Sequence, residues 1–381
     1  MRTTVTTLLL CIVSALAAQN GWIQRTSLPA NGRHRATGCS IGNKGYMGLG
    51  HVNGNSGTIN YADWWEYDPA SDSWTQKANY PSQNYGAVCF VAAGKAHVGG
   101  GAFYNTEFFA YSPLTNSWTA IANCPGSPGD QGAMSINNKG YVVISNQLFE
   151  YNPANNQWTQ KANAPTVFSN WCIAFSIGAS GYVKNAAGLY EYKPLNDQWV
   201  ARAGFPGANT NGGGAMIHNN KAYVVSGYVG SLSFVTDEVW EYNPGNNVWT
   251  RMADFPGSAR RFSVAFTINN RGFFGTGTHG INLNDFWEMV NPVGVEENTS
   301  SFGMNVFPNP AQDHVTFEIT RAGQFDQLTL RVTDLSGKII HEESFANGRI
   351  ILNRNDLDAG IYLYSVYDGN GFVSNGKFIF N

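Results

Sequence analysis

Charged residues are scarce in this chain, at 13% of its 381 residues, with 23 Lys and Arg against 26 Asp and Glu. The formal net charge is only −3, and no stretch of the sequence concentrates basic side chains. Proteins that bind nucleic acid present a basic patch or stripe to the phosphates. The composition therefore predicts that nucleic acid is not a partner.

Cysteine is also rare, with five residues. Cys11 lies in an N-terminal apolar run, and Cys39, Cys89, Cys124 and Cys172 lack the close spacing of a zinc site. We therefore expect no metal and no cofactor. Three of the four fall on first strands of different repeat units, where cysteine acts as a small apolar residue. Export permits disulfides, so the redox state of these four thiols stays open.

Long apolar runs are missing after the N-terminus. The one exception is residues 8–18, which follow Arg2 and end in small side chains. This run is too short for a transmembrane helix, which needs about 20 apolar residues. Its layout is typical of a secretory signal. The sequence predicts a signal peptide at residues 1–18 that is removed on export, and no transmembrane segment.

Glycine, with 43 residues, and aromatic residues, at 14%, are abundant. Six tryptophans are each followed by a proline seven positions later, and successive members lie 40 to 52 residues apart. The pairs are Trp22 and Pro29, Trp74 and Pro81, Trp118 and Pro125, Trp158 and Pro165, Trp199 and Pro206, and Trp249 and Pro256. Such a period suits a repeated unit of four short strands.

The text of one unit supports this interpretation. Trp65-Glu66-Tyr67 alternates as a half-buried strand does, Asp68-Pro69 starts a turn, and Trp74 opens the next strand. Each unit also begins with a more apolar strand. Aligning these first strands gives a column of apolar side chains that predicts a packing layer. The column contains Cys39, Phe90, Met134, Phe175, Met216 and Phe266.

Tyr67-Asp68-Pro69, Trp74 and the doublet Gly99-Gly100 together resemble the hallmarks of the kelch family. The resemblance covers residues 21 to 292 and implies a β-propeller. The glycine doublet is degraded elsewhere in the chain, for example to Ile144-Ser145. This departure leaves the kelch subfamily unassigned.

The two ends of the repeat predict how the ring closes. Residues 22–29 form a lone fourth strand, whereas residues 286–289 form a third strand with no tryptophan strand after it. Joining them leaves no exposed sheet edge. We therefore expect a six-bladed kelch β-propeller over residues 19–292, closed by the N-terminal strand, with each tryptophan buried between sheets.

After a polar linker at residues 293–303, short alternating strands over residues 304–381 predict a small Ig-like β-sandwich. This segment resembles the type A C-terminal sorting domain of the type IX secretion system. The resemblance implies the type IX machinery as a partner and a protein that reaches the cell surface or medium through the periplasm. The matching residues include Pro308, Asn309, Pro310, Gly337, Gly360, Tyr362 and Lys377.

A propeller offers one obvious site, the loop face around its central channel. Arginine forks match carboxylates, and aromatic rings stack on apolar faces, so the residues predicted there suit a glycan or protein ligand. The alternative is that they are structural or solvated. The ligand-binding candidates are Arg33, Arg35, His51, Tyr85, Asp130, Trp171, Arg260, Arg261 and His279.

Three kinds of catalysis are known on comparable folds or motifs, and the chain meets their requirements to different degrees. A copper oxidase resembling galactose oxidase has two histidine candidates, His51 and His279, but no Tyr-His pair. A hydrolase would need a Gly-x-Ser-x-Gly elbow, which the chain lacks. Sugar isomerisation, as in the sialic-acid mutarotases built on kelch blades, needs an acid or base and an arginine that binds the sugar carboxylate. Arg33 or Arg260 could bind the carboxylate, and Asp130 is the best free acid. The sequence therefore favours non-catalytic recognition of a glycan or protein. A mutarotase-like enzyme is the alternative, a purely structural role in a surface layer is the third possibility, and catalytic residues are unassigned.

Overall fold

The structure is a computed structural model. It describes residues 21–54, 57–102, 105–186, 188–208, 210–230, 234–290, 304–319, 327–334, 338–346, 348–355, 357–368 and 371–381. The chain divides into two compact units, Met1–Val295 and Glu296–Asn381. The predicted signal peptide, the linker and Gly337 lie outside the described residues.

The described part of the first unit is built of strands. They are β1 (Trp22–Arg25), β2 (Thr37–Ile41), β3 (Lys44–Gly48), β4 (His51–Gly54), β5 (Gly57–Asn60), β6 (Trp64–Asp68), β7 (Ser73–Lys77), β8 (Ala87–Ala92), β9 (Lys95–Gly100), β10 (Phe108–Ser112), β11 (Ser117–Ala120), β12 (Ala133–Ile136), β13 (Lys139–Ile144), β14 (Gln147–Asn152), β15 (Gln157–Lys161), β16 (Ile173–Ile177), β17 (Ser180–Asn185), β18 (Gly188–Lys193), β19 (Gln198–Ala201), β20 (Gly214–His218), β21 (Lys221–Val229), β22 (Phe234–Asn243), β23 (Val248–Met252), β24 (Val264–Ile268), β25 (Arg271–Gly275) and β26 (Phe286–Met289).

These strands form six four-stranded antiparallel sheets and one separate hairpin, β4–β5. Sheet 1 contains β2, β3, β6 and β7, and sheets 2 to 5 contain β8–β11, β12–β15, β16–β19 and β20–β23. Sheet 6 contains β24, β25, β26 and the N-terminal strand β1. Trp22 of β1 pairs with Met289, and Arg25 pairs with Phe286. The predicted pairing of the N-terminal strand with the last unit is therefore present.

The first strands of the six sheets contact one another in a cycle, from β2 through β8, β12, β16 and β20 to β24 and back to β2. Just before each first strand lies one residue with a positive φ. Its N–H donates to the carbonyl of the equivalent residue in the preceding sheet at 2.5–3.1 Å, and the six bonds close on themselves. These residues, the mouth ring, are Arg35, Gly86, Asp130, Trp171, Gly212 and Phe262.

The repeated Tyr, Asn/Asp and Trp positions link successive sheets. In sheet 2, Trp118 donates its indole N–H to the carbonyl of Ala78, at the end of sheet 1, at 2.9 Å. The N–H of the same alanine donates to Oδ1 of Asn116 at 2.8 Å, and Asn116 also accepts the Tyr111 hydroxyl at 3.0 Å. The residue bonded in this way is Thr26, Ala122, Ala162 and Ala203 for sheets 1, 3, 4 and 5.

Burial differs from the sequence prediction at the tryptophans. Trp22 and Trp249 are buried, but the four between them lie half-exposed at the outer edge of the sheets. The tyrosine seven positions earlier is the buried ring instead, because the tryptophan N–H must reach a carbonyl of the neighbouring sheet. The five tyrosines, 0–2% exposed, are Tyr67, Tyr111, Tyr151, Tyr192 and Tyr242. All six residues of the apolar first-strand column are buried, as predicted.

The second unit contains seven described strands in two antiparallel sheets, β27–β28–β31 and β30–β29–β32–β33. Both sheets contribute to one apolar core, which includes Val315, Phe317, Leu330 and Phe378. The strands are β27 (Met304–Phe307), β28 (His314–Ile319), β29 (Leu328–Thr333), β30 (Ile339–Phe345), β31 (Arg349–Asn353), β32 (Gly360–Asp368) and β33 (Gly371–Phe380). Within the described ranges of the chain, no helix is long and apolar enough to cross a membrane.

Candidate functional site

Four side chains of the mouth ring meet over the end of the central channel. The Arg35 guanidinium lies 3.4 Å from Oδ2 of Asp130. It also lies 5.2 Å from the ring centroid of Trp171 and 5.0 Å from that of Phe262. Because these residues come from sheets 1, 3, 4 and 6, Arg35 reaches across the mouth. They line a cavity of about 130 Å³.

Below the mouth, small apolar residues line the channel. The lining of the next cavity, about 190 Å³, includes one alanine from each sheet. Cys89 and Cys172 also lie there, and the four described cysteines are free thiols. The alanines are Ala36, Ala87, Ala133, Ala174, Ala215 and Ala265. The charged side chains therefore lie at the mouth, whereas the lining below it is made of small apolar residues with a few hydroxyl and amide groups.

A second cavity of about 230 Å³ opens beside the mouth, between sheets 6 and 1. Short bridges bring its walls together, since His34 pairs with His51 and Arg261 pairs with Thr278. We name this space the His–Arg cavity. It is lined by His34, Arg35, His51, Asn53, Arg261, Phe262, Thr278, Gly280 and Asn282.

The two histidines of this cavity are buried and favour the neutral form. His51 stacks on Tyr85 with ring centroids 3.9 Å apart, and its two ring nitrogens have no hydrogen-bond partner among the described residues. Burial, with smaller effects from His34 and Arg35, lowers the pKa of His51 to about 3. Burial also lowers the pKa of His34, against the effect of its 2.8 Å hydrogen bond to Asn282. A neutral imidazole donates one hydrogen bond and accepts one, and His34 already uses its Nδ1 on Asn282.

Arg261 supplies the uncompensated charge of the cavity. Its guanidinium lies over the rings of Tyr228 and Phe262, at 4.4 and 5.0 Å from their centroids. No carboxylate in the described part of the chain forms an ion pair with it, whereas Arg35 shares Asp130. A partly enclosed arginine with unused donors is a binding group for an anion, because its planar fork matches a carboxylate or phosphate.

Asp130 is the acid at the mouth. Burial raises the pKa of Asp130 above its usual range, while Arg35 and the Trp171 indole act in the opposite direction. A carboxyl group held between these influences can take up or release a proton nearer to neutral pH than a solvated aspartate does.

The structure brings six of the nine candidates together: Arg35, His51, Tyr85, Asp130, Trp171 and Arg261. Arg33 and Arg260 are instead buried and point away from both cavities. Arg33 forms two hydrogen bonds to Asp63, and Arg260 forms two to Asp285. His279 is exposed and does not line the His–Arg cavity. In the described part of the chain, no three potential metal ligands come together.

Comparison with known families fits this architecture. A family model of the kelch motif matches residues 210–256, and one of the secretion system C-terminal sorting domain matches residues 305–381. The chain carries a kelch motif and a type IX sorting domain. The kelch unit also resembles a solved kelch-type propeller described as "Structure of YjhT", with a TM-score of 0.58 and 16% identity. The match covers 72% of this chain and 98% of that one. A search of curated proteins found no match.

In the sorting domain, several of the predicted motif residues lie close together. Asn309 donates to the carbonyl of Lys377 at 3.2 Å and accepts the N–H of Ile379 at 3.0 Å. Tyr362 is buried and stacks on Phe378. Gly360 begins β32, and Pro308 and Pro310 follow cis peptide bonds on either side of Asn309. A type IX sorting tail implies a secreted or cell-surface protein.

The nine candidates predicted from the sequence leave out several lining residues of the His–Arg cavity, among them Phe262 and Asn282. A signal existed for Phe262, which stands four positions before Phe266 of the apolar first-strand column. Every mouth-ring residue has that same offset. Asn282 had no comparable signal, because it lies in a loop specific to sheet 6.

Proposed function

We propose that the kelch unit is a six-bladed propeller closed by its N-terminal strand, and that residues 304–381 form an Ig-like sandwich. The pairing of β1 with β26 supports this closure, since it supplies the fourth strand of the last sheet. The cycle of six backbone hydrogen bonds through the mouth ring also supports it, because it leaves no gap between sheets.

The export pathway follows from the same domain organisation. In this proposal residues 1–18 are a signal peptide removed on passage to the periplasm, 19–292 are the propeller and 293–303 are a linker. Residues 304–381 engage the type IX machinery, which delivers the protein to the cell surface or the medium. The match of residues 305–381 to the sorting-domain family supports the last step.

The propeller itself binds an acidic glycan at the His–Arg cavity. The observation that carries this proposal is Arg261, a guanidinium that lines the cavity with no carboxylate partner in the described chain. A ligand carboxylate would supply that partner. The neutral ring of His34 and the Asn53 amide suit the hydroxyl groups of a sugar, and Phe262 offers an apolar face.

A glycan array probed with the mature protein, followed by calorimetry on the acidic hits, tests this function. Arg261→Gln should weaken binding at least roughly tenfold, since charge-assisted hydrogen bonds contribute about 1.5–3 kcal/mol. Arg251→Gln is the matched control, because Arg251 already pairs with Asp254 and lies outside the cavity. Affinity should also fall as salt increases. If the protein bound acidic peptides and no glycan, the proposed ligand would be a protein instead of a glycan.

Asp130 favours a second candidate, a mutarotase-like enzyme. Its raised pKa suits proton transfer to a sugar ring oxygen, and Arg35 at 3.4 Å would hold the sugar carboxylate. General acid–base catalysis contributes about 10²–10⁴-fold to a rate. Anomer exchange of N-acetylneuraminic acid, followed by NMR, should then be faster with the protein and slower with Asp130→Asn. If the sugar binds but its anomers exchange at the uncatalysed rate, the enzyme is excluded and only the binding function remains.

A further inference from the structure

The loops around the mouth differ greatly in length. Between the second and third strands, sheet 1 inserts residues 49–63 with the β4–β5 hairpin, and sheet 6 inserts residues 276–285. In sheet 5 the second and third strands, β21 and β22, extend further than in the other sheets, and Gly227 pairs with Thr236 in this extension. Sheets 3 and 4 have only two residues there, 145–146 and 186–187. The mouth is therefore walled on the side of sheets 5, 6 and 1 and low on the side of sheets 3 and 4.

The His–Arg cavity lies inside this wall, between sheets 6 and 1. In the cycle of first-strand contacts, sheets 3 and 4 stand opposite sheets 6 and 1. A ligand group in the cavity is therefore enclosed by the loops of sheets 6 and 1, and the cavity opens across the mouth towards sheets 3 and 4. This shape fits the terminal unit of a chain-like ligand. An internal unit would need space on both sides, and the loops of sheets 6 and 1 close one side.

A row of polar side chains covers the low side. Gln131 donates to Oδ1 of Asn170 at 2.7 Å, and the Ser169 hydroxyl donates to Oδ1 of Asn185 at 2.7 Å. Asn211 donates to the Ser169 hydroxyl oxygen at 3.2 Å. These two hydrogen-bonded groups meet at the neighbouring residues Ser169 and Asn170, and the five residues together are here named the amide row. Ser169 and Asn170 are exposed, and the half-buried Trp171 ring lies between the row and Arg35. Amides and hydroxyls both donate and accept, which matches the hydroxyl groups of sugars.

We propose that the site takes the acidic terminal unit of an oligosaccharide, with the following sugars lying across Trp171 and the amide row. This inference rests on the proposed glycan-binding function and adds to it the length and direction of the ligand. The terminal acid is in the His–Arg cavity, on the walled side. The second and third units lie over sheets 3 and 4, where the second and third strands are joined by short connections.

Calorimetry with two pairs of probes tests this arrangement: N-acetylneuraminic acid against sialyllactose, and galacturonic acid against its trimer. For at least one pair the trisaccharide should bind about tenfold or more tightly than the monosaccharide, as added contacts predict. The double variant Asn170→Ala/Asn185→Ala should remove most of that gain and leave the monosaccharide affinity unchanged. Asn196→Ala, an exposed asparagine in the turn between β18 and β19, is the matched control and should change neither.

The outcomes separate the two proposals. Equal affinity for monosaccharide and trisaccharide, or a gain that survives the double variant, would overturn the extended site while leaving the acidic cavity in place. Loss of monosaccharide binding in the double variant would also overturn it, because the row would then belong to the cavity. Absence of binding by all four probes to the wild-type protein would overturn the glycan function and this inference with it.

Discussion

At the scale of single residues, Arg33 shows how an arginine on a predicted binding face can be structural. It is 1% exposed, donates to Asp63 at 2.8 Å and to the carbonyl of Leu49 at 3.0 Å, and lies over the Tyr61 ring. The indole N–H of Trp65 donates to the same carboxylate. This network fixes the long loop of sheet 1 to the sheet itself.

Arg33→Ala should lower the free energy of unfolding by about 3 kcal/mol, because it removes a fully buried guanidinium and leaves the partly buried Asp63 carboxylate without its cationic partner. Arg251→Ala should cost less than about 1 kcal/mol, since it removes an exposed pair. Urea unfolding of both variants measures the difference. Similar losses in the two variants would contradict the structural role of Arg33.

Lys184 is a buried amine without an acidic partner in the described residues. It is fully buried, donates to the carbonyls of Ala186 and Thr210 at 2.8 and 2.6 Å, and lies 4.1 Å from the Phe205 ring centroid. Burial lowers the pKa of Lys184 to about 7, from an ordinary value of 10.5. Folding therefore favours the neutral amine over the ammonium ion.

This pKa gives a testable pH dependence. Because the unfolded state holds the proton more tightly, the free energy of unfolding should rise as pH increases from about 7 to about 10.5, and the penalty should be fully present below pH 7. Lys184→Met should lose this rise. Lys193→Met, at a half-exposed position, should keep the wild-type dependence. Urea unfolding at pH 6 and pH 9 measures this dependence. If the free energy of unfolding of Lys184→Met still differed between the two pH values as in the wild type, the cost of burying Lys184 would be refuted.

At the scale of the strands, the junctions between sheets are not alike. Five junctions carry the Trp and Asn/Asp hydrogen bonds to one residue of the preceding sheet. The junction of sheets 5 and 6 is packed by Trp22, whose ring centroid lies 5.1 Å from that of Phe255 and 6.3 Å from that of Phe274. Trp22 is thus the apolar anchor of the strand that closes the last sheet.

Trp22→Ala should open this junction, at a cost of about 3–5 kcal/mol for a buried tryptophan. The melting temperature should fall, and amide exchange should increase in β26, which pairs with β1. Leu114→Ala, at a side chain that is 99% exposed, is the control and should change neither. An unchanged melting temperature for Trp22→Ala would refute closure by the N-terminal strand.

At the scale of the whole molecule, the chain combines a kelch unit with a type IX sorting domain. Each unit has its own apolar core, so neither needs the other to bury its side chains. Removing the sorting domain should therefore leave the kelch unit folded. Removal of the sorting domain should therefore change only where the protein is located.

Deletion of residues 304–381 should retain the kelch unit in the periplasm, as cell fractionation and surface labelling would show. Deletion of residues 2–18 is the companion variant and should retain the whole chain in the cytoplasm. Normal surface display of the tail deletion would contradict the sorting role of this domain.

The sequence alone determined the four-stranded units, the pairing of the N-terminal strand and the presence of a C-terminal sorting domain. These features rest on local periodicity, such as the seven residues between Tyr111 and Trp118, and each repeat states the same spacing again. The first-strand column was equally predictable, because an apolar position in every unit must face a neighbouring sheet.

Only the tertiary structure decided which loop residues form the site. Arg33 and Arg35 stand two positions apart, yet one is buried against Asp63 and the other reaches across the mouth to Asp130. The positive φ of Arg35, fixed by its place in the mouth ring, separates their directions. Asp130, Trp171 and Arg261 then meet it from loops far away in the sequence. No local pattern encodes that meeting, because it depends on how the first strands of the six sheets pack against one another.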